Sequence, residues 1–218
     1  MLDMLYCSGG NEPLMKIAYD AGFLLGIRSD RRSYGLPISF VDIEYRQPDF
    51  AAHLAVVARL KPRYATVPDL SESLVSEQDV ERAVNQAELL RSYCDHPLIV
   101  PKLSGQLAFI PPEYAIAYSV PTSYGGAKYG VWKLSGRRIH LLGGSPHMQM
   151  KLYRYLSGEV MSADGNMAQL MATRFARYWQ GGKWVSHPER HTGTKDLYLD
   201  CWRRSCVNIR EAWIARAQ

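Results

Sequence analysis

The chain has 218 residues, 47% of them hydrophobic and 22% charged, enough for one domain with a sizeable buried core. No stretch approaches the roughly 18 uninterrupted apolar residues of a membrane helix, and Met1–Gly10 lacks the basic flank and apolar run of a secretory signal. Four scattered cysteines (Cys7, Cys94, Cys201, Cys206) make no disulfide framework, so a cytoplasmic, reducing compartment is expected, and the net charge of +5 leans toward a polyanionic partner without selecting one.

Met4–Cys7 is a short apolar run that ends in Ser8-Gly9-Gly10. Asn11 is placed to cap a helix with Pro13 in its first turn, with Leu14, Ile17, Ala18 and Ala21 on one face and Gly22 as its stop. Ile38–Tyr45 reads as a strand, and Phe50, Leu54 and Val57 mark a helix ended by Lys61-Pro62. Tyr64–Val67 is a strand closed by Pro68-Asp69. Ser76 caps the clearest helix, where Val80, Ala83, Val84, Ala87 and Leu90 form an unbroken stripe. Leu98–Val100, Tyr114–Val120 and Ile139–Leu142 are further strands, ended by Pro101-Lys102, Pro121-Thr122-Ser123 and Gly143-Gly144. Ser145-Pro146 starts a helix, and Glu159–Met161 leads through Ser162-Ala163 to Asp164-Gly165-Asn166. A helix is predicted over Met167–Trp179, followed by a Gly/Trp/His-rich loop. The last helix carries Tyr198, Trp202, Cys206, Ile209 and Trp213 on one face.

Seven such strands, most followed by helices and with no linker or repeat, predict an α/β fold with a parallel sheet. No GxGxxG or GxxxxGK[ST] follows the first strand, which disfavours a nucleotide-binding layer. The expected architecture is a compact TIM-like (β/α) barrel. Its helices should be trimmed or missing, because the chain is short for a barrel of about 250 residues. One domain spans residues 1–218, with 180–218 a loop and helix packed on the barrel. An eighth strand is expected in Val131–Leu134 or near Gly22–Ile27.

In parallel β/α folds the working residues lie beyond the carboxyl ends of the strands. Those positions hold Ser8, Asp42, Asp69, Lys102, Thr122/Ser123, Gly143/Gly144 and Asp164. Any one aspartate there reads as a turn former or helix cap. Three carboxylates and a lysine on one rim repel and attract one another strongly enough to need a purpose. His187, His191, Cys201 and Cys206 form an H-x3-H-x9-C-x4-C series that could bind zinc, although Cys206 falls in the apolar stripe of the last helix. His140, inside a strand, reads as a core histidine. Tyr178, Trp179 and Trp184 beside Arg174, Arg177 and Lys183 fit either base stacking or core packing, the latter slightly better.

Taken in order, Phe40-Val41-Asp42, Leu60-Lys61-Pro62, Val67-Pro68-Asp69, Val100-Pro101-Lys102, Ile139-His140-Leu141-Leu142-Gly143 and Val160-Met161-Ser162-Ala163-Asp164 resemble the 7-deazaguanine DNA-modifying transglycosylases, relatives of tRNA-guanine transglycosylase. The likeness spans roughly residues 38–166. It implies a phage-type transferase that exchanges guanine in DNA for a 7-deazaguanine, the 7-cyano form first among them, acting in the host cytoplasm without a cofactor. By the same resemblance Asp164 is the nucleophile on the sugar C1′ and Asp42 the acid/base. Asp69 holds the edge of the exchanged base, with Lys102, Thr122, Gly143 and Gly144 around it. The family's Asp-Asn-Gly or Asp-Ser-Gly turn is Asp42-Ile43-Glu44 here, which brings in Glu44 as a rival for the proton. Its Val-Pro-Gln-Gly is Val100-Pro101-Lys102-Leu103, which replaces a base-reading glutamine by lysine. The zinc spacing of the tRNA enzymes is absent, which favours DNA. A tRNA substrate, a nucleoside hydrolase or glycosidase in which water replaces the incoming base, and a non-catalytic guanine- or nucleic-acid-binding barrel are the alternatives.

Overall fold

The computed structural model describes residues 2–8, 11–123, 125–156 and 159–217, so the turn expected at Gly9-Gly10 lies outside the described residues. Eight parallel strands follow one another around a closed barrel: β1 (Asp3–Ser8), β2 (Leu24–Arg28), β3 (Ile38–Asp42), β4 (Tyr64–Thr66), β5 (His96–Ile99), β6 (Ala115–Ser119), β7 (Ile139–Leu142) and β8 (Val160–Asp164). β8 pairs back onto β1, with Asp3 opposite Ser162 and Leu5 opposite Asp164. The fold is a TIM-like (β/α) barrel. The eighth strand is β2, which overlaps the stretch expected near Gly22–Ile27. Val131–Leu134 is instead one 3-10 turn, whose i, i+3 spacing buries Val131 and Leu134 on one side.

The outer helices are α1 (Glu12–Asp20), α2 (Phe50–Leu60), α3 (Glu77–Arg91), α4 (Pro146–Leu156), α5 (Met167–Phe175) and α6 (Lys195–Ala217). Asn11, Asp49 and Ser76 cap the first three by accepting from the backbone N–H groups of Leu14, Ala52 and Asp79. The trimming falls in three places. A loop alone joins β2 to β3, and the crossovers from β5 to β6 and from β6 to β7 carry only the 3-10 helices Ser104–Phe109 and Val131–Leu134.

The helix expected over Met167–Trp179 stops at Phe175. Ala176 turns left-handed, and β9 (Arg177–Gln180) folds back on β10 (Lys183–Ser186). Gly181 and Gly182, both at positive φ, make the hairpin turn that overrides helical continuation. Tyr178 and Trp179 are buried beneath α6, where Ser205 Oγ accepts from the Trp179 N–H and Asn208 donates to its carbonyl. These rings are core.

α6 lies against α1 and α5 and buries Trp202, Cys206, Ile209 and Trp213. Trp202 Nε1 donates to the Leu14 carbonyl at 2.9 Å and its ring meets Tyr6 at 4.7 Å. A second, smaller core fills the barrel itself, from Leu5, Phe40, Tyr64, Leu98, Val100, Ala115 and Ala117. Gly26 permits this filling: a Cβ there would stand 2.9 Å from Phe40 Cδ1. Among the described residues no helix is long and apolar enough to cross a membrane.

Candidate active site

The strand carboxyl ends surround a cavity of about 470 Å³ lined by Cys7, Asp42, Asp69, Lys102, Gly143 and Asp164, among others. Arg28, Arg31 and Tyr45 stand at its mouth. That volume lies within the roughly 300–1,000 Å³ of ordinary small-molecule sites.

Asp164 is the last residue of β8 and is almost wholly buried. Its Oδ1 accepts from the Gly143 backbone N–H at 2.9 Å and lies 3.2 Å from His140 Nε2. His140 Nδ1 is in turn 2.8 Å from Ser162 Oγ. Gln149, on α4, donates to the carbonyls of Gly143 (2.7 Å) and Asp164, locking the ends of β7 and β8 together. Gly144 has φ +83°, and a Cβ there would stand 2.6 Å from Val120 Cγ1, so the backbone turns under the cavity only with glycine at this point. Asp164, His140 and Ser162 have the members of a hydrolase triad. Ser162 and His140 are fully buried, however, and only Asp164 reaches the cavity. The serine cannot meet a substrate. The carboxylate can.

Asp42 ends β3 and faces the same cavity half-buried. Its Oδ1 accepts from Thr66 Oγ1 at 2.7 Å, and Thr66 Oγ1 accepts from the Ile43 N–H at 2.9 Å. Burial raises the Asp42 carboxyl to about 7. Asp164 and Asp69 add to the rise, and the Thr66 hydrogen bond and Arg28 oppose it. Cys7 shares this field: burial and the two carboxylates Asp42 and Asp164 push its thiol well up. The thiol is therefore a neutral, weakly nucleophilic wall.

Across the cavity Lys102 Nζ lies 2.6 Å from Asp69 Oδ2. The lysine is buried, whereas about a third of the aspartate side chain is open. Both sit on loops clamped by buried Gln106. Its Oε1 accepts from the N–H groups of Lys102 (2.8 Å) and Leu103 (3.0 Å), and its Nε2 donates to the carbonyls of Ser71 (2.8 Å) and Leu74 (3.3 Å). Thr122 lines the same wall, in a turn closed by its N–H to the Gly125 carbonyl.

Glu44 is outside this group. Its Oε2 accepts from the backbone N–H groups of Arg46 and Gln47, and its Oε1 is 3.5 Å from Arg28. Turn formation and an ion pair occupy it, which leaves Asp42 as the carboxylate of that turn facing the cavity. The zinc series also separates. Cys201 and Cys206 are buried in the α6 packing, His187 pairs with Asp200 at 3.2 Å, and His191 is exposed. Among the described residues no three His, Cys, Asp or Glu side chains are gathered to hold a metal.

Cys7, Thr66, Gln106, Gln149 and Ser162 carry much of the site, and sequence reasoning passed over them. Cys7, Thr66 and Ser162 follow from strand periodicity, since each lies inside the barrel two residues from another inward position. Gln106 and Gln149 carried no such signal, because each acts on backbone groups that come together only in the folded barrel.

No curated protein matches the chain. A solved structure, N-(5'-phosphoribosyl)anthranilate isomerase from Pyrococcus furiosus, is similar at 12% identity over 94% of this chain and 98% of that one, with a TM-score of 0.37. Residues 18–214 match DUF6610, a family of unknown function, and the chain belongs to that family.

Proposed function

We propose that the chain is a transglycosylase that exchanges guanine in DNA for a 7-deazaguanine, 7-cyano-7-deazaguanine first among them. The observation that carries the reading is the placement of Asp42 and Asp164 on one cavity at the carboxyl ends of the strands, together with the Asp69–Lys102 pair.

Departure of guanine makes the sugar oxocarbenium-like, so a carboxylate at C1′ stabilises the charge and then traps it. Asp164 keeps Oδ1 on Gly143 and His140 and offers Oδ2. The C1′–O bond forms as the C1′–N9 bond breaks, and Asp42 delivers its proton to the departing base. A carboxyl raised to about 7 holds that proton near neutrality and can also give it up. The Asp42 carboxylate then removes the ring N–H proton of the incoming base. The freed nitrogen bonds to C1′ and displaces Asp164. Two displacements give retention, and Asp42 ends protonated as it began.

The guanine edge carries N1–H and amino donors beside the O6 acceptor. Asp69 accepts from the donors, and Lys102 Nζ donates to O6. A target base in duplex DNA must leave the stack to reach carboxylates at the strand ends.

The test is incubation with duplex DNA or tRNA and labelled 7-cyano-7-deazaguanine, followed by digestion to nucleosides. Label in DNA is expected, and Asp164→Asn should reduce it to background. Label in tRNA alone changes the polymer, and free guanine without label points to hydrolysis. Binding without turnover overturns the enzyme reading.

A further inference from the structure

The floor of the cavity is polar where barrel interiors are usually filled by branched aliphatic side chains. His140 and Ser162 are 0% exposed and Tyr64 1%. They stand between Asp164 at one end of the barrel and Asp3 at the other, where Tyr64 donates to Asp3 Oδ2 at 2.7 Å and Arg63 holds the same oxygen at 2.6 Å. Burying hydroxyls and an imidazole costs free energy that aliphatic side chains of similar size would spare. The column ends on the one carboxylate that reaches substrate space from β8.

The hydrogen bonds fix its direction. The Gly143 N–H can only donate, so Asp164 Oδ1 is an acceptor. The imidazole nitrogen 3.2 Å from that oxygen must present its proton, because a bare ring nitrogen there would set lone pair against lone pair. The neutral ring then has Nδ1 as its acceptor, and Ser162 Oγ at 2.8 Å supplies the donor. Tyr64 spends its own proton on Asp3 and so offers the imidazole no donor; its oxygen is a second acceptor within reach of the Ser162 hydroxyl, beside His140 Nδ1 at 2.8 Å. The rings of Phe40 and Tyr64, 5.2 and 6.4 Å from the imidazole centroid, leave it little room to turn.

We propose that His140, held in its Nε2–H form by Ser162, is the positioning residue that pins Asp164 Oδ1 and leaves Oδ2 as the single oxygen aimed at the sugar. This inference rests on Asp164 being the nucleophile. His140 touches no substrate; it acts through the carboxylate. A core histidine with a merely structural role would be replaceable by an aliphatic side chain without effect on turnover.

Two measurements on the full chain test this. In the nitrogen-15 imidazole spectrum of the unliganded protein, with the His140 signals assigned by their loss in His140→Gln, Nε2 should be protonated and Nδ1 not. The reverse tautomer overturns the proposal. In the base-exchange assay His140→Leu should lower kcat about 100-fold, the cost of a misplaced reacting group, while KM for DNA stays within about threefold. His140→Gln, whose side-chain amide can reach the Nε2 position, should recover about tenfold of that loss. Undiminished kcat in His140→Leu, or equal loss in both variants when each unfolds at the wild-type temperature, overturns it. If the wild-type protein exchanges no base, the functional reading fails, and the imidazole spectrum still decides the tautomer.

Discussion

Thr66 Oγ1 donates to Asp42 Oδ1 at 2.7 Å while accepting from the Ile43 N–H at 2.9 Å, so one hydroxyl ties the acid of β3 to its own turn and to β4. The proposed exchange needs Asp42 protonated as guanine leaves, so kcat/KM for DNA should fall on the alkaline side with a midpoint near 7. Thr66→Val removes the hydrogen bond that opposes the rise. The midpoint should then move up by about one pH unit, the equivalent of one hydrogen bond to a charged acceptor. A pH–rate series on both proteins checks it.

Stability should respond to the same group. The folded Asp42 carboxyl ionises near 7, against an ordinary value of 3.8, so the native state binds the extra proton between those limits. The stabilising contribution is complete below about pH 4 and lost as pH rises through 7. Asp42→Asn keeps an acceptor for Thr66 and carries no charge. It should be inactive yet more stable than the wild type at pH 8 by about 2–4 kcal/mol, the scale of the shift after discounting for partial exposure. Urea unfolding at pH 4, 5.5 and 8 should show the gap near zero at the first, partly open at the second and complete at the third.

His53 on α2 works in the opposite direction. Both ring nitrogens are buried without a well-formed hydrogen bond, and burial lowers the imidazole to about 4 against a weaker opposing contact from the Thr66 backbone. The unfolded chain takes up a proton near 6.5 and the folded one does not, so stability is full above pH 6.5 and drains away as pH falls toward 4. About 3 kcal/mol is at stake by the conversion of pKa shift to free energy. His53→Leu should flatten the acid limb of a stability–pH curve; an unchanged limb would assign the acid sensitivity elsewhere.

Gln106 should couple stability to base recognition. Gln106→Leu strips the N–H groups of Lys102 and Leu103 of their acceptor and two carbonyls of their donor. Leaving buried backbone groups unsatisfied costs about 2–4 kcal/mol. Calorimetry should show that loss, and KM for the incoming base should rise by more than kcat falls, since the loops that move carry Asp69 and Lys102.

Much of the barrel was legible because its signals are local. Pro62, Pro68, Pro101 and Pro121 punctuate strand and helix ends, and Ser76 announces α3. The strand that hid, Leu24–Arg28, lacks such punctuation and is followed by a loop where a helix would have marked it. The helix drawn through Trp179 failed because Tyr178 and Trp179 suit either period, and only the positive φ of Gly181 and Gly182 decides for the hairpin. In the site, strand-end position brought Asp42, Asp69, Lys102 and Asp164 to one cavity. Position alone could not separate Asp42 from Glu44, since that depends on which carboxylate the Arg46 and Gln47 N–H groups capture. Nor did it credit His140 beyond the core, because its partner Ser162 is joined to it only by the β7–β8 register.

The Trp202 indole that donates to the Leu14 carbonyl spans 188 positions of sequence. β1 also completes its pairing only with β8. During synthesis the first strand must therefore wait, its second edge bare, until β8 has left the ribosome. Closure of the ring is a late, all-or-none event, and chains interrupted before α6 should be substrates for chaperones and proteases rather than shortened working barrels.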